Sequence, residues 1–287
     1  MHPLRTRFAK DIVTEFLPPS SSKLPPSLKL WRAGRRAGLR AGLAVAAKAK
    51  VVILCSGMPS FPSKPALMEF LSRKGYWVFN PRYRGSWESG GKFLRLSPER
   101  DVRDIIEGLR KGFHDLHNGT RYKLTPKEIV LIGGSFGGPA ALLTSLSNSR
   151  ELESEVSVGK KRRASIKVIA VSPVVDWRSR SPEEPIETFY NAVKQEFGEA
   201  YRMSRRDWDK LKTGKFYNPA AHAEEIDGKK MLIFHAKDDN VVRFGSVKKF
   251  AKKTGARLIL RAKGGHLSTS ILIKPNFWKI VRKFLSH

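Results

Sequence analysis

Ile129-Val130-Leu131-Ile132-Gly133-Gly134-Ser135-Phe136-Gly137-Gly138-Pro139-Ala140-Ala141-Leu142-Leu143 is the stretch on which the reading of this chain turns. Four apolar residues in a row mark a strand buried on both faces of a parallel sheet. The apolar residues after Gly138 open a helix that the pattern carries from Phe136 to Leu146. A sharp turn from strand to helix lifts the Ser135 hydroxyl above the sheet, and only glycine fits on either side of it. The same turn sets the Phe136 backbone N–H at a helix N-terminus, where it suits an oxyanion. A glycine-rich turn with an incidental serine is the bland alternative, and the strand before and helix after argue against it. Ser135 is therefore the candidate nucleophile.

A serine on such a turn calls for an acid and then a histidine further along the chain. Both are present in that order. His235-Ala236-Lys237-Asp238-Asp239-Asn240-Val241-Val242 follows a buried strand and places an acid on the loop beyond it. Gly264-Gly265-His266 comes just after the next strand, and its glycines let a loop carry the imidazole over the sheet. His266 is the candidate base, and the acid would hold its tautomer and stabilise its charged form. Asp176, after an earlier strand, is a competing acid.

Working outward, the chain alternates strands and helices from Val51 onward. Strands are expected at 51–55, 76–79, 129–132, 166–171, 231–234 and 257–260, with helices at 64–74, 98–113, 136–146 and 276–285. That alternation argues for an α/β fold with a doubly wound, mostly parallel sheet. The interruption at 177–228 is too long for a bare loop and holds helix patterns at 186–197 and 205–211. It is rich in aromatics, Tyr190 and Trp208 among them, and is either a lid over a site or added core; the lid is the favoured reading. Residues 1–50 read as a basic N-terminal extension with a possible edge strand at 11–17, and residues 51–287 as the catalytic domain including the lid. Within the extension, Lys29 to Lys50 is a basic helix or disorder.

Composition narrows the function. The 287 residues carry 55 lysines and arginines against 26 acids, a formal charge of +29. Such an excess predicts weak, sequence-independent attraction to polyanions, centred on Arg32, Arg35, Arg36, Arg40, Lys48 and Lys50. A single cysteine, Cys55, excludes an internal disulfide and multi-cysteine metal sites, and points to a reducing, cytoplasmic location. Cys55 ends an apolar strand and reads as a buried structural thiol. No apolar run approaches the roughly 18 residues of a membrane helix. Neither a phosphate-binding loop nor a dinucleotide fingerprint is present. No metal or organic cofactor is implied.

With these residues in view, the chain resembles the α/β-hydrolase superfamily, and most closely the catalytic domain of the prolyl-oligopeptidase (S9) group. The likeness rests on four features spanning roughly residues 50 to 287. They are the Gly-Gly-Ser-Phe-Gly-Gly turn at 133–138, Pro81-Arg82-Tyr83-Arg84-Gly85-Ser86, the His-x-x-x-Asp-x-x-Val stretch from His235, and Gly-Gly-His at 264–266. The resemblance implies that Asp239, four residues after His235, is the triad acid rather than Asp238. It also implies a second oxyanion donor in the loop Ser56-Gly57-Met58-Pro59, namely the Met58 backbone N–H, beside that of Phe136. About 50 residues precede the core, too few for the β-propeller of many S9 peptidases. Ester hydrolysis through a Ser135 acyl-enzyme is thus the central expectation, with Tyr190 and Trp208 as substrate-binding candidates. Peptide or amide hydrolysis on short substrates is the neighbouring alternative, and a polyanion-binding module on the same fold is the alternative from another class.

Overall fold

The apolar runs assemble into one sheet of nine strands in the computed structural model, which describes residues 2–20, 43–156, 164–179, 181 and 183–286. The strands are β1 (Leu4–Phe8), β2 (Ile12–Leu17), β3 (Leu43–Cys55), β4 (Trp77–Pro81), β5 (Phe113–His114), β6 (Arg121–Gly134), β7 (Ser165–Val171), β8 (Met231–Ala236) and β9 (Arg257–Arg261). Their order is β1-β2-β4-β3-β6-β7-β8-β9, with β5 pairing β6. From β4 to β9 along that order every pairing is parallel, while β1 and β2 form an antiparallel hairpin docked on β4. This is the expected doubly wound α/β architecture.

Strand alternation divides the core in two. Val51, Ile53, Ile129 and Leu131 point to one face, where they meet Val102, Ile105 and Leu109 of α2 (Glu99–Lys111) and Ala140 to Leu143 of α3 (Gly137–Val156). Val52, Leu54, Val130 and Ile132 point to the other, against Leu67, Met68 and Leu71 of α1 (Pro65–Arg73) and Phe277, Val281 and Phe284 of the C-terminal helix at Pro275–Leu285. No helix among the described residues is long and apolar enough to cross a membrane.

Two points of domain organisation differ from the sequence reading. The division at residue 50 cuts through β3, which begins at Leu43 and pairs in parallel with β6 from Arg121 onward. Ala46 and Ala49 are buried, whereas Val45, Lys48 and Lys50 face solvent. The pairing is irregular between Ala47 and Lys50, where Lys48 takes a φ of +55°. That extra residue breaks the alternation by which a strand is recognised. Residues 1–50 are therefore no separate extension in their described parts, since β1 and β2 also belong to the sheet. The rest of the basic segment, with Arg32, Arg35, Arg36 and Arg40, lies outside the described residues.

The second difference concerns 177–228. Helix α4 (Ile186–Phe197) and the short α5 (Arg205–Asp209) form as expected. Yet Tyr201, Trp208 and Tyr217 are buried in the main core, not held over it. Backbone hydrogen bonds also fasten the segment to the loop at 85–93: Trp87 N–H to Ala200 O, Phe93 N–H to Arg202 O and Arg202 N–H to Gly85 O, each 2.8 Å. The insertion is an integral wall of the domain, and its apolar inner side is what the sequence showed as aromatic richness.

Candidate active site

Ser135 stands where β6 turns into α3, with a φ of +49°. A non-glycine residue in that region is strained and persists only where its surroundings impose it. Here they do. The Ser135 N–H donates to Val171 O at 3.1 Å, and its carbonyl accepts the N–H groups of Gly138 at 2.9 Å and Val174 at 3.1 Å. A methyl group at Gly133 would collide with the Gly137 carbonyl, and one at Gly137 with the Cys55 carbonyl. The glycines on both sides are thus required by the close approach of the β3 end to the start of the helix.

That approach brings two backbone donors to the serine. Met58, on the loop after β3, and Phe136 line the same cavity as Ser135. Among the described residues, neither N–H group is taken by a protein acceptor. Phe136 is held from behind, its carbonyl accepting the Tyr217 hydroxyl at 2.7 Å and its ring packed against Tyr83, Phe93, Trp177 and Tyr217. Cys55, two residues before Gly57, is fully buried, and burial pushes its thiol up to about 12. It is a poor nucleophile at neutral pH.

The candidate acid and the candidate base lie in contact. Asp239 is buried on the loop after β8, and its carboxylate oxygens stand 3.0 and 3.1 Å from His266 Nδ1. One of them also accepts the N–H groups of Val241 at 3.0 Å and Val242 at 2.9 Å. Burial pushes this carboxyl up, but His266, the Val242 N–H and the Ser172 hydroxyl together outweigh it and hold the group below the ordinary carboxylate range. A folded pKa below the unfolded one means that this contribution to stability is present at neutral pH and fades as pH falls through the folded value. His235 supports the loop from the core, with its Nε2–H donating to Val242 O at 2.9 Å. Burial holds its imidazole toward the neutral form.

Asp238, set aside as the triad acid, has contacts of its own. Its carboxylate accepts Gly264 N–H at 3.1 Å and Gly265 N–H at 2.9 Å, so it grips the loop that carries His266. Those two N–H groups hold its pKa down. Asp176 lines the cavity but is engaged elsewhere: its carboxylate accepts from the Arg178 guanidinium and from Asn218 Nδ2. His266 itself is not among the residues that line the cavity, and its side chain is 27 % exposed. No hydrogen bond joins it to Ser135 among the described residues; such bonds are often long before substrate binds.

The cavity in front of Ser135 has a volume of about 590 Å³, ample for a drug-sized ligand. Its apolar wall comes from Trp177, Ile186, Phe189, Trp208 and Val241. Of the two aromatic candidates, Trp208 forms this wall from a fully buried position, its indole N–H donating to Ile186 O at 2.9 Å. Tyr190 does not line the cavity. Its ring packs on Trp208 from behind and lies under the Arg205 guanidinium. One position along the helix, Phe189 takes the place assigned to it, because successive helical residues point about 100° apart. Trp208→Ala should therefore cost about 3–5 kcal/mol and lower the melting temperature on the order of 10 °C. Phe189→Ala should instead shift the acyl chain-length profile with a smaller effect on melting. Calorimetry and a p-nitrophenyl ester series on both variants check this pair.

The family model BD-FAE matches residues 60–254, about two thirds of the sequence. The chain belongs to the BD-FAE family. Among solved structures, the Pyrococcus furiosus esterase Pf2001 superposes with a TM-score of 0.59 at 15% identity, covering 99% of this chain and 90% of that one. The butyrate-bound esterase Est2 of Thermogutta terrifontis gives 0.55 at 19%, covering 99% and 93%. A putative dipeptidyl aminopeptidase IV from Bacteroides ovatus gives 0.62 at 18%, with all of this chain matched to 35% of that one. A comparison with curated proteins gives no match. These likenesses show that this BD-FAE member shares the α/β-hydrolase fold of those two esterases and of a 35% portion of the dipeptidyl aminopeptidase.

Proposed function

We propose that the protein is a serine hydrolase that cleaves carboxylic esters through an acyl-enzyme on Ser135. The observation that carries this reading is the strained serine at +49°, on the floor of a cavity shared with two uncommitted backbone N–H groups. On this account His266 Nε2 takes the Ser135 proton as Oγ attacks the ester carbonyl. Met58 and Phe136 N–H receive the oxyanion of the tetrahedral intermediate. Collapse expels the alcohol, which takes its proton from His266, and a water activated by the same imidazole then releases the acid. Asp239 keeps the Nδ1 proton of the imidazole on the side away from the serine.

The apolar wall suits an acyl chain, which favours simple esters. One feature favours the neighbouring reading of aminoacyl or short peptide substrates. Glu184 lines the cavity, is partly buried, and forms no ion pair among the described residues. Burial pushes its carboxyl up, with the nearby His266 opposing the shift. An unpaired carboxylate there would receive a substrate ammonium group, and would lose that ability as pH falls through its raised pKa.

A panel of p-nitrophenyl esters and aminoacyl p-nitroanilides separates the two. Turnover of esters with weak or no amide cleavage is the expected result; selective cleavage of the anilides would transfer the assignment to peptidase. On amino-acid esters, Glu184→Gln should lower kcat/KM roughly 10- to 100-fold, the equivalent of about 1.5–3 kcal/mol for a charged hydrogen bond. It should leave the butyrate ester within about twofold if that substrate makes no such bond. Equal effects on both would rule out amine recognition by Glu184.

A further inference from the structure

Ser172 is the first residue past the end of β7, and nothing in its sequence context marks it. It is fully buried and takes a φ of +43°, a second strained serine beside the first. Its backbone N–H donates to Phe234 O on β8 at 2.8 Å. Its neighbour Val171 receives the Ser135 N–H at 3.1 Å. The dipeptide Val171-Ser172 thus touches the nucleophile turn on one side and the acid-bearing strand on the other.

The side chain reaches a third element. Ser172 Oγ accepts the N–H of Leu267, the residue after His266, at 3.1 Å. An apolar side chain of that size could not accept this N–H. Asp238 holds the two residues before His266, Asp239 holds its ring, and Ser172 holds the residue after it.

We propose that Ser172 is a positioning residue whose hydroxyl anchors the backbone after His266 to the end of β7, and so sets the imidazole over Ser135. The assignment rests on the triad reading. Losing the hydroxyl leaves Leu267 N–H buried without a partner. The imidazole then rests on a looser loop. Displacements of about 1 Å in such constellations cost on the order of 10²-fold in rate.

Two substitutions separate this role from a merely structural one. Ser172→Ala removes the hydroxyl and keeps a side chain at the strained φ, while Ser172→Gly removes the hydroxyl and relieves the strain. Both should lower kcat on p-nitrophenyl butyrate about 10- to 100-fold with KM little changed. If backbone geometry were the only requirement, Ser172→Gly would match the wild type in kcat, and that result overturns the proposal. Poor folding of the alanine variant leaves the glycine variant to decide, since its backbone strain is relieved. Ser135→Ala is assayed alongside. Activity surviving in it would overturn the triad reading and this proposal together, whereas its loss with a wild-type Ser172→Gly would overturn this proposal alone.

Discussion

Ser135→Ala should abolish ester hydrolysis, with kcat falling on the order of 10⁶-fold, while melting temperature and circular dichroism remain those of the wild type. Triad members act as a unit, so removing the nucleophile removes the covalent route and leaves only what the oxyanion donors contribute to attack by water. The fold should tolerate the change. Alanine adopts the positive φ with no more strain than serine, and the backbone bonds to Val171, Gly138 and Val174 do not involve the hydroxyl. Steady-state rates with p-nitrophenyl butyrate at matched folded concentration check it.

The adjacent aspartates should part company. Asp239→Asn presents an amide to His266 and favours the wrong tautomer, a change that costs about 10⁴-fold in a comparable triad. Asp238→Asn keeps one oxygen to accept from Gly264 or Gly265, and should cost only a few-fold through a looser His266 loop. A ranking in the opposite order would mean that Asp238 orients the imidazole, against the 3.0 Å contact between Asp239 and His266 Nδ1. Small, equal losses in both would return attention to Asp176, despite its engagement with Arg178.

The serine turn could be read from the chain because its signal is local. An apolar run, flanking glycines and an apolar helix start lie within 15 consecutive residues, and steric exclusion around Gly133 and Gly137 leaves few other conformations. The contact between Asp239 and His266 was legible for a related reason, since each follows a strand, the buried β8 and the half-exposed β9.

What escaped depends on contacts between distant segments. The first half of β3 was hidden by a bulge at Lys48 and by a composition of alanine and lysine. The helix at Phe244–Thr254 buries Val247, Phe250 and Ala251 at helical spacing, but four lysines dilute that pattern. Tyr190 and Phe189 are both aromatic neighbours on one helix, and only the helix's rotation decides which one faces the cavity. Ser172 and Asp238 act by hydrogen-bonding loops 95 and 26 residues away, which no local pattern encodes.

Labelling with a fluorophosphonate tests the central claim most directly. Ser135 Oγ, activated by His266, should attack phosphorus and expel fluoride, leaving one phosphonyl adduct per chain. Peptide mass spectrometry should place that adduct on Ser135, and neither Ser135→Ala nor heat-denatured protein should be labelled. An intact, folded protein that takes up no label, or that carries it on another residue while ester hydrolysis continues, would contradict the account.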